Sequence, residues 1–259
     1  MKNSSQDFEE IKKHTGMEGW VSPVYAESRS VRINPAEAAD NRCVGVAPSA
    51  EEVEYYKIIR NQIMLNTENR NWNTIMITSA LPGEGKTVTA INLAFTFAKE
   101  FNHTVLLVDC DFKQQRIHKL LGYESDVGLG DVFQGNLSLK DIIVWPGVEK
   151  LTIISGGRTL QNSAELLGSP PMQALVGEIK ARYPDRFVLF DLPPVLTSAD
   201  AIAFAPWVDA ILMVVQAGKT PFQDIKKALE IIPQEKFIGF VLNQHIVRTK
   251  PYYGTKGIR

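Results

Sequence analysis

Residues 74–87 read TIMITSALPGEGKT, and this stretch decides the fold of the chain. Its first half is apolar and rich in β-branched side chains, which is typical of a buried strand. Its second half is rich in small residues and ends in Gly-Lys-Thr. Apolar residues then recur at helical spacing, at Val88, Ile91, Phe95 and Ala98. A strand, a glycine-rich loop and a helix in this order predict a phosphate-binding loop of the Walker A type.

The loop in this stretch contains residue types that bind phosphate. Gly83 and Gly85 let backbone N–H groups point at phosphate oxygens, and the N-terminus of the next helix adds a positive dipole end. We expect Lys86 to contact the β- and γ-phosphates and Thr87 to ligate Mg²⁺, with the lysine ammonium facing solvent when no nucleotide is bound. The motif G-x-x-x-x-G-K-[ST] is broken at Ala80, which replaces the first glycine. The alternative is an ordinary strand, turn and helix with a chance Gly-Lys-Thr.

Length and composition exclude several classes of protein. The 259 residues suffice for one α/β domain with a tail, and a hydrophobic fraction of 44% allows a sizeable core. The net charge of −1 gives no basic surplus, so we expect no nucleic-acid partner. No apolar run approaches the roughly 20 residues that span a bilayer, and residues 1–13 lack the apolar centre of a signal peptide. We therefore expect a cytoplasmic protein, which does not exclude docking on a membrane protein.

Strands and helices alternate along the rest of the chain. Beyond the first strand, the predicted strands are residues 104–108, 151–154, 187–190, 210–215 and 237–242. Besides the helix after the loop, the predicted helices are residues 50–66, 116–121, 128–133, 139–144, 169–183 and 220–232. Continuously apolar strands that alternate with helices predict an α/β fold: a doubly wound, mostly parallel sheet with helices on both faces, as in P-loop NTPases.

The chain divides into three parts by composition. Residues 1–48 are polar and lack sustained periodicity, so we expect a flexible N-terminal arm. Residues 49–245 carry the alternating pattern and form the P-loop domain. Residues 246–259 are a polar C-terminal tail that contains Tyr252 and Tyr253.

Three aspartates follow predicted strands directly. Asp109 and Asp111 come after the second strand, and Asp191 ends the fourth. Because ligands of parallel sheets bind at the carboxyl ends of strands, these residues are expected to meet the phosphate loop in one crevice. Asp191 has the Walker B arrangement and would hold Mg²⁺ directly or through water. One of the other two could join the metal shell and the other accept a proton, or both could simply cap backbone amides in a turn.

Three motifs together resemble the bacterial tyrosine kinase family (BY-kinases) over residues 49–245. Residues 80–87 resemble the family's Walker A motif, residues 105–111 its Walker A′ motif and residues 187–194 its Walker B motif. The resemblance implies transfer of the γ-phosphoryl group of ATP to tyrosine with Mg²⁺ as cofactor. It also implies autophosphorylation that regulates exopolysaccharide production or export.

The resemblance assigns roles to individual residues. Asp109 is expected to activate the tyrosine hydroxyl, although Asp111 could exchange roles with it, and Asn243 is expected to reach the adenine. The predicted nucleotide-binding residues are Gly83, Glu84, Gly85, Lys86, Thr87, Val88 and Asn243. The predicted metal ligands are Thr87, Asp109, Asp111 and Asp191, and the predicted catalytic residues are Lys86, Asp109 and Asp111.

The resemblance also implies partners. Glu54, Lys57 and Arg60 lie where the family has a Glu-x-x-Arg-x-x-Arg pattern used in ring-like self-association, with lysine in place of the first arginine. Tyr252 and Tyr253 are the expected phosphate acceptors, in place of the family's larger tyrosine cluster. The second partner is expected to be a separate membrane-embedded polysaccharide co-polymerase that recruits the chain to the inner face of the cell membrane. On residues alone, these two stretches would be a solvated helix face and a plain tail.

Two other classes remain open at this point. The MinD/ParA group of ATPases shares the fold but usually carries an additional lysine early in the loop, where this chain has Leu81. A nucleotide-binding regulatory subunit without transfer activity would keep the site as a conformational switch.

Overall fold

A computed structural model of the protein describes residues 28–46, 51–135, 137–182 and 185–245. Within these residues, eight strands form one sheet in the order β1-β4-β5-β3-β6-β2-β7-β8. The strands are β1 (Arg29–Ser30), β2 (Thr74–Ser79), β3 (Thr104–Asp109), β4 (Ile143–Trp145), β5 (Leu151–Ile154), β6 (Arg186–Asp191), β7 (Ala210–Gln216) and β8 (Phe237–Asn243).

The sheet is parallel except at one pairing, which confirms the predicted fold class. Only β4 and β5 run antiparallel among the described strands. In the pairing of β3 with β6, Asp109 lies directly opposite Asp191, and in the pairing of β2 with β6, Ile77 lies opposite Asp191. The register therefore brings the carboxyl ends of these central strands, and the aspartates on them, to one edge of the sheet.

Helices cover both faces of the sheet. They are α1 (Pro35–Asp40), α2 (Glu52–Thr67), α3 (Lys86–Phe97), α4 (Ile117–Leu121), α5 (Leu129–Phe133), α6 (Leu139–Ile142), α7 (Ser163–Leu167), α8 (Pro170–Arg182), α9 (Ala199–Phe204) and α10 (Phe222–Ile231). Alternate residues of one strand enter different cores: Met76 packs on the side of α8 and α10, and Ile75 and Ile77 pack on the side of α2 and α3. Burial on both faces explains why the strands are continuously apolar. None of the helices in the described ranges is long and apolar enough to cross a bilayer.

The structure differs from the predicted elements in residues 139–144. The expected helix stops at Ile142, and Ile143 begins β4, opposite Ile154 of β5. The side chain of Asp141 accepts the backbone N–H of Ser138 at 2.8 Å, which fixes the start of this single turn. Pairing with β5 then provides hydrogen-bond partners for backbone groups that a longer helix would have bonded internally.

Residues 28–46 form an N-terminal strap that packs on the domain, so the expected flexible arm is wrong for this part. Its β1 pairs with β4, and Ala38 and Cys43 are fully buried. Asn92, buried in α3, accepts the backbone N–H of Gly45 at 2.9 Å and donates to the carbonyl of Arg42 at 3.0 Å. The folded unit therefore extends before residue 49. Residues 1–27 and the tail 246–259 lie outside the described residues.

Candidate active site

The phosphate loop joins β2 to α3 in a conformation that favours glycine. Gly83 and Gly85 have φ values of +83° and +91°, in the left-handed region that other residues rarely adopt. Gly85 is the N-cap of α3, and a Cβ on it would lie 2.0 Å from the Nδ2 atom of Asn243. Val88 is half-buried in the first turn of the helix. The loop therefore has the backbone expected of a phosphate-binding site.

Two predicted nucleotide-binding residues hold the loop from behind. Glu84 is buried, and its carboxylate accepts the backbone N–H of Leu81 at 2.7 Å and the hydroxyl of Thr220. Asn243, at the end of β8, donates its side-chain amide to the carbonyl of Glu84 at 2.8 Å. In this structure both side chains are directed at the loop, and the expected contact between Asn243 and adenine stays a prediction.

Lys86 lies between two carboxylates. Its Nζ atom is 3.1 Å from Oδ2 of Asp111, 3.8 Å from Oδ1 of Asp191 and 3.3 Å from the hydroxyl oxygen of Thr87. Only 12% of the side chain is exposed, so the expectation that the ammonium faces solvent is wrong. Burial lowers the pKa of Lys86, but Asp191 and Asp111 outweigh it and the pKa is raised. The ammonium stays charged because the carboxylates replace the water that it has lost.

Asp191 has carboxylate oxygens that suit a cation. It is fully buried, and neither carboxylate oxygen accepts a hydrogen bond of normal geometry from any described residue. Burial raises its pKa, and the nearby Lys86 and Thr87 only partly oppose that rise. Mg²⁺ typically binds one or two protein oxygens and completes its shell with water and phosphate, so Asp191 and the Thr87 hydroxyl suit it. No three His, Cys, Asp or Glu side chains in the described ranges are grouped to hold a metal ion by themselves.

Asp109 braces the backbone beside the site. Its Oδ1 atom accepts the N–H of Asp111 and its Oδ2 atom accepts the N–H of Ile117, both at 3.1 Å. The residue is fully buried, and burial and the charge of Asp191 raise its pKa. Asp111 directs one oxygen at Lys86, and the other accepts the N–H of Gln114 at 3.2 Å. The alternative in which an aspartate caps backbone amides thus describes Asp109 fully and Asp111 in part.

The residues predicted for self-association are only partly free to contact another subunit. Lys57 and Glu54 form an exposed ion pair at 2.5 Å on α2. Arg60 instead donates to the carbonyl of Thr96 at 3.0 Å and also bonds Asn61. Burial lowers the pKa of Arg60. The predicted acceptors Tyr252 and Tyr253 lie outside the described residues.

Two polar residues behind the loop were not predicted. Thr220 bonds Glu84, and the side chain of Gln244 donates to the carbonyl of Gly83 at 3.3 Å. Both follow strands on one side of β2: β7 pairs with β2, and β8 pairs with β7. Knowledge of the strand order would have placed both near the loop, but the order is not readable from local pattern.

Comparison with known proteins identifies the family. Residues 72–244 match the family model described as an AAA domain. Tyrosine-protein kinase YwqD of Bacillus subtilis (strain 168) is 35% identical over 214 residues, which cover 81% of this chain and 89% of YwqD. The solved chimerical protein CapA2B2 superposes with a TM-score of 0.72 at 26% identity, over 92% of this chain and 98% of that one.

A third relative is much longer than this chain. The succinoglycan biosynthesis transport protein ExoP of Rhizobium meliloti (strain 1021) is 34% identical over 206 residues, which cover 75% of this chain but 25% of ExoP. The region that ExoP shares with this chain is thus one part of a larger protein. The extent of the match to YwqD, together with the phosphate loop and the aspartates beside it, shows that this chain belongs to the bacterial tyrosine-protein kinase family.

Proposed function

We propose that this chain is an ATP-dependent protein-tyrosine autokinase that regulates exopolysaccharide production or export. The observation that carries the proposal is the position of Lys86, which lies beside the phosphate loop between the carboxylates of Asp111 and Asp191. Tyrosine as the acceptor is supported by the likeness to YwqD, and the link to polysaccharide by the likeness to ExoP.

Binding of the nucleotide is proposed to change the partner of Lys86. The ammonium now neutralises Asp111 at 3.1 Å, and the β- and γ-phosphates would compete for the same charge. When Lys86 moves to phosphate, Oδ2 of Asp111 is released from the ammonium and can accept a hydrogen bond from the tyrosine hydroxyl. The proton acceptor would thus become available only once the phosphoryl donor is bound.

Asp111 suits the role of general base better than Asp109 does. Both oxygens of Asp109 already accept backbone N–H groups, and none of its surface is exposed. Asp111 has one oxygen whose described contact is the movable ammonium. We therefore propose that Asp111 accepts the tyrosine proton and that Asp109 fixes the backbone that carries it.

Thr87 and Asp191 are the proposed holders of Mg²⁺, with Asp109 and Asp111 beside them. Within the described residues neither oxygen of Asp191 accepts a hydrogen bond of normal geometry, and burial raises its pKa. Both observations support this assignment, because a bound cation would contact the oxygens and stabilise the ionised carboxylate. Mg²⁺ would neutralise the charge that develops on the phosphate oxygens.

The partners are proposed from the relatives. ExoP is named as a transport protein and extends far beyond the shared region, which supports a membrane-embedded polysaccharide co-polymerase as a partner of this kinase domain. Such a partner would recruit the kinase to the inner face of the cell membrane. Assembly through the Glu54 and Lys57 face would bring the tail tyrosines Tyr252 and Tyr253 of one subunit to the site of the next.

The test is incubation of the purified protein with Mg·ATP, followed by mass-spectrometric mapping of phosphotyrosine. We expect modification at Tyr252 and Tyr253, and none when EDTA removes Mg²⁺. The double Phe variant of these two residues should lose most of the phosphotyrosine. Release of ADP without phosphotyrosine would instead identify an ATPase of the MinD/ParA type, and binding without turnover would identify a silent regulatory subunit.

A further inference from the structure

Glu84 links the phosphate loop to a distant turn. It is 2% exposed, and its two carboxylate oxygens accept hydrogen bonds from neutral donors, the Leu81 N–H and the Thr220 hydroxyl. Thr220 lies in the turn between β7 and α10, so the contact crosses 136 residues of sequence. A buried carboxylate is unfavourable unless its hydrogen bonds are made, so the loss of either donor should disturb the loop.

The direction of the Thr220 hydrogen bond is fixed by its second partner. The hydroxyl oxygen accepts the backbone N–H of Gln216 at 2.9 Å. A threonine hydroxyl has one proton to donate, and the Glu84 carboxylate beside it can only accept when ionised. The hydroxyl thus bridges the end of β7 to the loop, as acceptor on one side and donor on the other.

Two side-chain amides hold the same loop through its carbonyls. Asn243 donates to the carbonyl of Glu84 at 2.8 Å, and Gln244 donates to the carbonyl of Gly83 at 3.3 Å. In a planar trans peptide the C=O and the next N–H point in opposite directions. With these carbonyls held on the side of β8, the N–H groups of Glu84 and Gly85 are turned the other way, toward the side where phosphate would bind.

We propose that Thr220 is a positioning residue for nucleotide binding, which acts through Glu84 to hold the loop in its phosphate-binding conformation. The inference rests on the proposed function only in that the loop binds a nucleotide. If a variant populates the competent loop for a fraction of the time, its apparent dissociation constant rises by the inverse of that fraction. At saturating ATP the bound state is the same, so kcat is retained while KM rises.

The test compares Thr220→Val, which removes the hydroxyl and keeps the shape, with Thr220→Ser, which keeps the hydroxyl. The exposed Thr159→Val is the matched control. Calorimetric titration with Mg·ADP should give about tenfold weaker binding for Thr220→Val and values within about twofold of wild type for the other two. The KM for ATP should rise equally, with kcat within about twofold. An unchanged affinity for Mg·ADP in Thr220→Val, or a lower kcat at unchanged KM, would overturn the proposal.

A second variant protects the test against a folding defect. Glu84→Gln alters the same contact from the side of the loop. If both substitutions remove one shared interaction, the double variant Glu84→Gln/Thr220→Val should bind Mg·ADP no more weakly than whichever single variant binds it more weakly. Additive losses would contradict the link. A wild type that binds Mg·ADP but forms no phosphotyrosine would contradict the proposed function alone, since the affinities would still be measurable.

Discussion

Asp109 Oδ2 accepts the backbone N–H of Ile117 at 3.1 Å, so the carboxylate ties the end of β3 to the first residue of α4. The other oxygen accepts the N–H of Asp111, two residues further along. The buried side chain of Asp109 thus fixes the backbone conformation of the segment that carries Asp111. The two aspartates of this motif have different environments, and their substitutions should have different effects.

Substitution of the three aspartates by asparagine should separate their roles. Asp111→Asn should lower kcat by about 10² or more with little change in nucleotide affinity, because an amide accepts the tyrosine proton poorly. Asp191→Asn should weaken the Mg²⁺-dependent part of nucleotide binding, since an amide is a poorer ligand for a hard cation. Single-turnover phosphorylation and Mg·ADP titration measure the two effects.

Asp109→Asn tests whether Asp109 acts on the backbone and Asp111 acts as the general base. Asparagine offers one oxygen to two N–H donors, so one backbone hydrogen bond is lost and kcat should fall less than in Asp111→Asn. A larger fall in kcat for Asp109→Asn than for Asp111→Asn would restore Asp109 as the general base. Equal losses of Mg·ADP affinity in Asp109→Asn and Asp191→Asn would argue against separate roles.

Lys86→Met should lower both the rate of phosphoryl transfer and the stability of the fold. Phosphoryl transfer should fall by about 10² or more because a fixed positive charge on the phosphates is lost. The nucleotide-free protein should also lose about 3 kcal/mol in urea unfolding at pH 7.5, since two buried carboxylates keep no counter-charge. Lys86→Arg keeps the charge and is the control: it should retain most of the stability while transfer stays low. Full transfer activity in Lys86→Met would refute the phosphate-loop assignment.

Lys57→Glu should lower the oligomer mass measured by light scattering and the rate of tyrosine phosphorylation, with nucleotide affinity retained. The Lys57 side chain is 40% exposed and its ion pair is open to solvent, so the free energy of unfolding should change by less than about 1 kcal/mol. Lys226→Glu, on the exposed surface of α10, is the matched control and should leave the mass unchanged. Undiminished phosphorylation in a monomeric Lys57→Glu would exclude transfer between subunits.

Arg60→Glu should also lower the oligomer mass but is a less clean test. Its guanidinium bonds the carbonyl of Thr96, so the variant should lose about 1 kcal/mol of stability within the monomer as well. Lys57→Glu therefore reports on assembly more directly.

Asp209 anchors the start of β2, and Asp209→Asn should destabilise the fold away from the active site. The carboxylate accepts the N–H groups of Asn73 and Thr74 at 3.1 Å and the Thr74 hydroxyl at 2.7 Å, and it pairs with Lys180. Burial alone would raise the pKa of Asp209, but Lys180 and Thr74 outweigh burial and lower it. The variant should lose about 2 kcal/mol in urea unfolding at pH 7.

The same variant has a predicted pH dependence. Because the folded pKa is lowered, the stabilisation is fully present above the ordinary aspartate pKa of about 3.9 and is lost as pH falls through the folded value. The difference between wild type and Asp209→Asn should therefore be constant from about pH 7 to pH 5 and narrow only below about pH 4. A difference that already narrows between pH 7 and pH 5 would contradict the assignment. Asp224→Asn, which breaks a more exposed ion pair with Lys227, should change stability by less than about 0.5 kcal/mol.

The sequence predicted six of the eight described strands and missed β1 and β4, which lie together at one edge of the sheet. All six predicted strands are present, because each is a continuous run of mostly apolar residues, and a helix follows each of them except β8 in the described part of the chain. β1 and β4 have only two and three residues, which is too short for a periodic pattern. The packing of residues 28–46 was also missed, because the few buried side chains, Ile33, Ala38 and Cys43, are five residues apart, which is neither a strand nor a helix period.

The site was predicted as a set of residues but not as a set of contacts. The convergence of the loop with Asp109, Asp111 and Asp191 follows from their positions at the carboxyl ends of parallel strands. The burial of Lys86 depends on distances between side chains, which sequence spacing does not fix. The contact of Thr220 with Glu84 depends on which strands are neighbours, so it too was out of reach.

The strap of residues 28–46 determines how much of the chain must be kept when the kinase domain is joined to another protein. A version cut at residue 49, where the predicted P-loop domain begins, would leave both ends of the buried Asn92 amide without their partners Gly45 and Arg42. It would also uncover Phe95, whose Cβ would lie 2.6 Å from a Cβ at Gly45. Any natural fusion or engineered transplant of this kinase therefore has to carry a segment that contains none of the nucleotide motifs, and a join placed downstream of it would cut into the hydrophobic core.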